Sequence, residues 1–313
     1  MKKFMSFVAL AGIVLAAGPW VFSDFWLSLA MTCMMYSALA VSWAMFSGTT
    51  RYLSLATSAL FGLGTYTTAM AMQHLPWPLL IAAGGLVSAL FALLVSAAVF
   101  HLRGTYFAVL TFGLGELVRH SITYTEKSVF GTVGRVLTEV PSNEILYWTM
   151  LVLALLAIVT YKLVSVSRLG MAMRGIGADE QRAATFGVNT RVTKLAGFAL
   201  SAWFAGAVGA AMAVRWTYID PHSAFSPLIG FQTVLIAMIG GATTWRGPVI
   251  AAIGLSLLSD ALRLNFPHAY LVILGVLLIV CVLFIPGGIA SIKWKNLFRR
   301  SDGGLVAGHK EAA

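Results

Sequence analysis

Long apolar runs separated by short polar breaks occupy almost the whole chain. A bilayer core about 30 Å thick takes roughly 20 apolar residues as a helix, and fewer where a helix is broken inside protein. On that measure the pattern predicts ten spans, near residues 6–22, 27–47, 53–73, 77–100, 104–124, 146–166, 194–214, 228–243, 248–263 and 269–286. The expected fold class is all-α: a polytopic membrane protein of about ten transmembrane helices, some broken, with a cytoplasmic loop near 167–193. Residues 1–292 read as one transmembrane domain and 293–313 as a basic cytoplasmic tail that looks disordered.

One polar break is unlike the others. Residues 167–190 read SRLGMAMRGIGADEQRAATFGVNT and gather Arg168, Arg174, Asp179, Glu180 and Arg182 between two long apolar runs. Ser167 to Gly170 suit a turn, and Met171 to Arg174 about one helical turn before Gly175 and Gly177 break it. A second helix then starts with Asp179 as cap, Glu180 near its positive end, Gly187 at C′ and Asn189 beyond. Ala183, Ala184 and Phe186 give it a small apolar surface edged by Glu180 and Arg182. A free two-turn helix is marginal in water, so its order comes from packing against something. A solvated or lipid-surface loop and a helix that docks on a soluble partner both fit these residues.

Composition narrows the class. Of 313 residues, 59% are hydrophobic and 10% charged, against about 25% charged in ordinary globular chains. The net charge of +10 could suggest nucleic acid, but no long hydrophilic segment exists to carry a basic groove. Orientation accounts for it more simply, since short cytoplasmic loops are enriched in Lys and Arg. With both termini inside, the inner segments hold Lys2 and Lys3, Arg51, Arg103, Arg168 to Lys194, Arg246, and the tail with Lys293, Lys295, Arg299 and Arg300. The longest outer loop, about 125–145, is net negative, and Arg215 is the main exception. Met1 to Ser23 could pass for a secretory signal, yet its cleavage pattern is poor and an uncleaved first span is expected. The tail sequence KWKNLFRR reads first as a solvated flank after the last span, and its basic and aromatic mix also suits an anionic lipid surface.

Catalytic chemistry is not visible. There is no Gly-Lys dipeptide, hence no phosphate loop ending in Gly-Lys-Ser/Thr, and no G-x-S-x-G elbow. The six histidines are scattered without H-x-x-x-H pairing, and Cys33 and Cys281 lie in apolar runs, so no metal or cofactor is expected. Ionisable residues inside spans are few, and each is a functional candidate by default. Glu116 and Arg119 share a helix face and can pair; Asp260 and Arg263 repeat the spacing. Gly62, Gly64, Gly113 and Gly115 interrupt spans where Ala would serve a helix better. Close helix packing and the lining of a solute path both account for these glycines.

The run from Ser167 through GVNTRVTKLAGFALSAWFAGAVGAAMA, followed by IDPHSAFSPLIGFQTVLIAMIGGATTWRGPVIAAIG, resembles the LivM-type permease subunits of branched-chain amino acid ABC importers. RYLSLATSALFGLGTYT and RGTYFAVLTFGLGELVR look like earlier segments of that family, so the likeness runs from about Arg51 to Ile289. It implies a multi-pass protein of the bacterial inner membrane, without its own ATPase, that works by alternating access. The implied partners are a second, LivH-like permease, two cytoplasmic ATPase subunits, a periplasmic solute-binding protein and membrane lipids. The 167–193 loop would be the coupling segment, with Arg168, Arg174, Asp179, Glu180, Ala183, Ala184 and Gly187 at the ATPase contact. It is similar to the importers' EAA loop, although the E-A-A-x-x-x-G spacing is not reproduced. Gly62, Gly64, Gly113, Gly115 and Glu116 are the candidates for the substrate pathway. Branched-chain or other hydrophobic amino acids are the expected cargo. Urea, amides or aromatic compounds are the alternative, and a self-sufficient carrier or channel is a further one.

Overall fold

Without water, backbone groups are satisfied only within a helix, and the apolar runs fold accordingly. The computed structural model describes residues 2–266 except 101–103, 138–139 and 217, together with isolated residues between 269 and 280. Its helices are α1 (Lys2–Ala16), α2 (Gly18–Val21), α3 (Asp24–Trp43), α4 (Thr57–Ala71), α5 (Trp77–Val99), α6 (Thr105–Thr125) and α7 (Asn143–Val166). They continue with α8 (Arg168–Ala178), α9 (Glu180–Thr185), α10 (Thr190–Met212), α11 (Pro221–Ala224), α12 (Pro227–Gly240) and α13 (Arg246–Asn265). Wide π turns extend α3 to Gly48 and α6 to Phe130.

Seven described segments are long and apolar enough to cross a bilayer: Phe4–Val21, Asp24–Gly48, Trp77–Ser96, Asn143–Val166, Thr190–Arg215, Pro221–Gly240 and Arg246–Asn265. Two expected spans depart from that standard. The one near 53–73 is α4, whose 15 residues reach only about 22 Å at 1.5 Å per residue. The one near 104–124 is α6, long enough at 21 residues but carrying Glu116, Arg119 and His120. The span expected at 269–286 lies almost wholly, and the tail at 293–313 entirely, outside the described residues.

The shortness of α4 has a local cause. Residues 51–56 run without helix, starting from Arg51 at φ +59°, and Tyr52, Ser54 and Ala56 are buried. Such backbone is tolerable only if other groups satisfy it. Arg51 N–H donates to Ser47 O at 3.0 Å, Leu55 N–H to Thr111 Oγ1 at 3.0 Å, and Ser54 O accepts from Trp43 Nε1 at 2.8 Å. Here the expected broken helix is a chain segment stapled by the side chains around it.

α10 is the centre of the bundle, packed against α3, α4, α5 and α7. Its GxxG-like stripe lets backbones meet: a Cβ on Gly64 of α4 would lie 1.9 Å from Gly206 O, and one on Gly206 would lie 2.4 Å from Gly84 O of α5. Thr65 Oγ1 and Thr68 Oγ1 of α4 then donate to Gly209 O and Ala210 O of α10 at 3.1 and 3.0 Å. Small residues bring the helices close, and hydroxyls use the closeness.

At the end of the bundle away from α8 and α9, two short strands, β1 (Arg135–Val136) and β2 (Tyr218–Ile219), pair antiparallel. Glu126, only 2% exposed, organises this end. It accepts from Gly134 N–H at 2.9 Å and Tyr66 Oη at 3.4 Å, with Arg135 Nε 3.7 Å away.

Candidate functional site

The polar stretch forms two helices in sequence. Ser167 caps α8 by accepting from Gly170 N–H at 3.3 Å. α8 then runs straight through Gly175 and Gly177 to Ala178, where the sequence pattern had the helix broken after Arg174. Gly175 meets only Ala183, at ordinary contact distance, while Gly177 and Gly170 serve close approach. A Cβ on Gly177 would fall 2.1 Å from Thr49 O, and one on Gly170 would fall 2.0 Å from Val164 O. Met173 and Ile176 bury their side chains on the same inner face, so α8 lies flush against the end of the bundle.

α9 follows as expected of its capping residues. Asp179 accepts from Gln181 N–H at 3.0 Å and Arg182 N–H at 3.1 Å. Gly187 takes φ +83° after the last turn, a conformation that L side chains rarely adopt. Gly187 N–H closes on Ala184 O at 2.9 Å and Val188 N–H on Ala183 O at 3.1 Å, as at a left-handed helix end. Asn189 then caps α10, accepting from Val192 N–H at 3.1 Å.

The sequence did not reveal what fixes α9. Lys194, 4% exposed at the start of α10, places Nζ 2.7 Å from Glu180 Oε1. Tyr52 Oη donates to Glu180 Oε2 at 2.6 Å, and the Lys194 ammonium lies 4.7 Å above the Tyr52 ring and 5.3 Å from that of Phe100. Of the expected contact residues, Glu180 and Ala183 therefore face the bundle. A single Lys at the head of an apolar run was the available signal, but its partner is 14 residues away and Tyr52 more distant still.

The rest of the segment faces outward. Arg168, Arg174 and Ala184 are exposed, Arg174 Nη1 donating back to Ser165 O at 2.8 Å and Asp179 pairing with Arg182 at 3.0 Å. Phe186 is 87% exposed, and Met171 and Val192 add apolar surface to the same end of the bundle. A rigid pair of helices with an aromatic knob, backed by a buried ion pair, can carry a push from a partner into α10.

The expected pathway residues divide. Gly62 meets the Phe225 ring, where a Cβ would be 2.3 Å from Cδ1, and Gly64 sits at the α4–α10 crossing. Gly115 rests at ordinary contact on Ser58 and Ala59, while Gly113 has nothing within 4 Å of a Cβ position. Glu116 is ion-paired with Arg119 and lies 3.9 Å from His120 Nε2. Gly113, Leu117 and His120 form an open stripe on α6, with Glu116 and Arg119 partly exposed beside it.

Comparison with known proteins fits this arrangement. A family described as "Branched-chain amino acid transport system / permease component" has a model that matches residues 25–282. The high-affinity branched-chain amino acid transport system permease protein LivM of Escherichia coli (strain K12) is 26% identical, over 95% of this chain and 78% of the relative. Its namesake in Salmonella typhimurium (strain LT2) is 25% identical, over 92% and 75%. No solved structure matches.

Proposed function

Because the chain belongs to the family of permease components of branched-chain amino acid transport systems, we propose that it is one permease half of an ABC importer for branched-chain or similar hydrophobic amino acids. It pairs with a second, LivH-like permease and two cytoplasmic ATPases and receives cargo from a periplasmic solute-binding protein. The membrane is the bacterial inner membrane, with both termini in the cytoplasm. That orientation puts the basic α8–α9 end inside, in keeping with the distribution of Lys and Arg.

The observation that carries the reading is the Glu180–Lys194 ion pair beneath an otherwise outward-facing α9. A short helix holds no position by itself. Anchored through Glu180 to α10, it transmits ATPase closure to the helix on which α4 and α5 pack, and the permease pair alternates its access. Arg168, Arg174, Ala184 and the helix ends set by Asp179 and Gly187 form the docking side. Gly113 and Glu116 lie on the α6 stripe that faces the second permease or the solute path, because an ion pair turned to lipid would be costly.

Reconstitution with the partner subunits tests this. ATP-dependent uptake of leucine, competed by isoleucine and valine but not by urea or phenylalanine, is the expected result. Uptake of urea or an aromatic compound instead would move the cargo to the alternative class. Solute movement by this chain alone, without ATP, would overturn the importer reading.

A further inference from the structure

A cavity of about 460 Å³ opens between α3, α10, α12 and α13, toward the end of the bundle opposite α8 and α9. Several of its polar groups are engaged with one another or with neighbouring groups. Tyr36 Oη donates to Gln232 Oε1 at 2.6 Å, and Gln232 Nε2 donates to Ser259 Oγ at 3.1 Å. Arg215 donates to Ser28 O at 3.2 Å and to Thr32 Oγ1 at 3.4 Å.

Three groups on one face of α13 are not engaged in this way. Among the described residues, neither Asp260 nor Arg263 has a hydrogen bond or an ion pair; the Arg263 guanidinium, exposed at the cavity mouth, lies 5.6 Å from the Tyr270 ring and acts electrostatically on Tyr36. One turn earlier, Ser256 is 2% exposed, and its hydroxyl has no hydrogen-bond partner beyond a weak contact with the Cys33 thiol. Acid and base three apart on a helix normally pair, as Glu116 and Arg119 do. A carboxylate and a guanidinium that line one cavity in a membrane bundle and stay apart are placed for a ligand carrying both charges.

We infer that this cavity is a binding site for the zwitterionic head of an α-amino acid. Asp260 accepts from its ammonium, Arg263 donates to its carboxylate, and Ser256 Oγ adds a hydrogen bond to the head. The opposite wall, built by Met35, Phe61, Met212, Trp216 and Ile229, takes an apolar side chain. The volume falls within the roughly 300–1,000 Å³ of small-molecule sites. His222 also lines the cavity, and Arg215 makes its surroundings net positive beside the one carboxylate, which favours the ligand's acidic end. The assignment rests on the amino-acid reading above and goes beyond it by naming where the cargo is held.

The test uses the complete importer in proteoliposomes. Asp260→Asn and Arg263→Gln are expected to cut ATP-driven leucine uptake about tenfold or more, the loss of one charged hydrogen bond, with assembly of the complex unchanged and Arg263→Lys partly active. Occupancy is read separately with His222→Cys, exposed at the cavity mouth, in a Cys33→Ala, Cys281→Ala background: L-leucine should slow maleimide labelling, while leucinamide and 4-methylpentanoate, each lacking one charge, should not. Wild-type uptake by both charge variants would overturn the site. So would labelling that leucine leaves unchanged in a leucine-transporting complex, and it decides the matter should the charge variants fail to assemble. Equal protection by 4-methylpentanoate would overturn the role of Asp260. A wild-type complex that moves no amino acid would refute the cargo reading itself, and the site with it.

Discussion

Lys194 Nζ lies 2.7 Å from Glu180 Oε1, joining the first turn of α9 to the N-terminal part of α10 across the turn that carries Phe186. Both side chains are largely withdrawn from water, and Tyr52 supplies the second carboxylate oxygen with a hydrogen bond. Removing one partner of a buried pair leaves an uncompensated charge, at about 3–5 kcal/mol. Lys194→Met is therefore expected to lower the thermal stability of the purified chain and to uncouple ATP hydrolysis from uptake. Glu180→Gln, which strands the more buried Lys194 ammonium, should cost as much. A double-mutant cycle on unfolding in detergent measures the coupling, and additive effects of the two changes would remove the lock.

Phe186 has almost no contact to lose within the chain, being 87% exposed. Phe186→Ala should leave stability within about 0.5 kcal/mol, as for surface sites generally. If the side chain fills a pocket on the ATPase, its loss should weaken co-purification by about 2 kcal/mol or more, the scale of an interface hot spot. Undiminished association of ATPase subunits with that variant would remove the knob from the interface.

Ala184→Pro places a residue without an N–H inside α9, whose length leaves no turn to spare. Membrane insertion should be normal and uptake absent. A transporting variant would show that α9 carries no force.

The glycines offer a paired comparison. Gly64→Ala would push a methyl to 1.9 Å from Gly206 O, backbone that cannot rotate away, so a loss of about 1–3 kcal/mol or more is expected. Gly113→Ala meets open space and should be neutral or slightly stabilising, by up to about 1 kcal/mol of helix propensity. Melting temperatures of the two variants check the contrast. A Gly113→Ala variant that folds normally but no longer binds the second permease would also place α6 at that interface.

At the far end, Glu126→Ala strips Gly134 N–H and Tyr66 Oη of their acceptor and Arg135 of a neighbouring charge. Limited proteolysis should then cut the 131–137 loop faster while the helices stay protected. Unchanged cleavage would show that the β1–β2 pairing alone holds that loop.

Apolar runs of fixed length determine helices in a membrane whatever their neighbours, so the helical class, the bundle and the basic end were legible from order and composition alone. Capping is equally local: Asp179, Gly187 and Asn189 act through bonds within four residues, and α9 lies where those residues place it. Resemblance over the length of the chain carried the family. What the sequence could not determine depends on distance along the chain. Gly177 looks like a breaker until the end of α3 arrives beside it, because its use is to admit Thr49 O and its neighbours, more than a hundred residues earlier. Gly62 and Gly64 are the same residue type as Gly113, and only the approach of Phe225 and Gly206 separates a packed crossing from an open face. Glu180 reads as a surface acid until Lys194 and Tyr52 close on it, and Asp260 with Arg263 reads as an ordinary helical pair until the fold holds them apart around one cavity. Local bonding and hydrophobicity are written in order along the chain. Which charges end up paired, and which are left for a ligand, is decided by which helices the packing brings together.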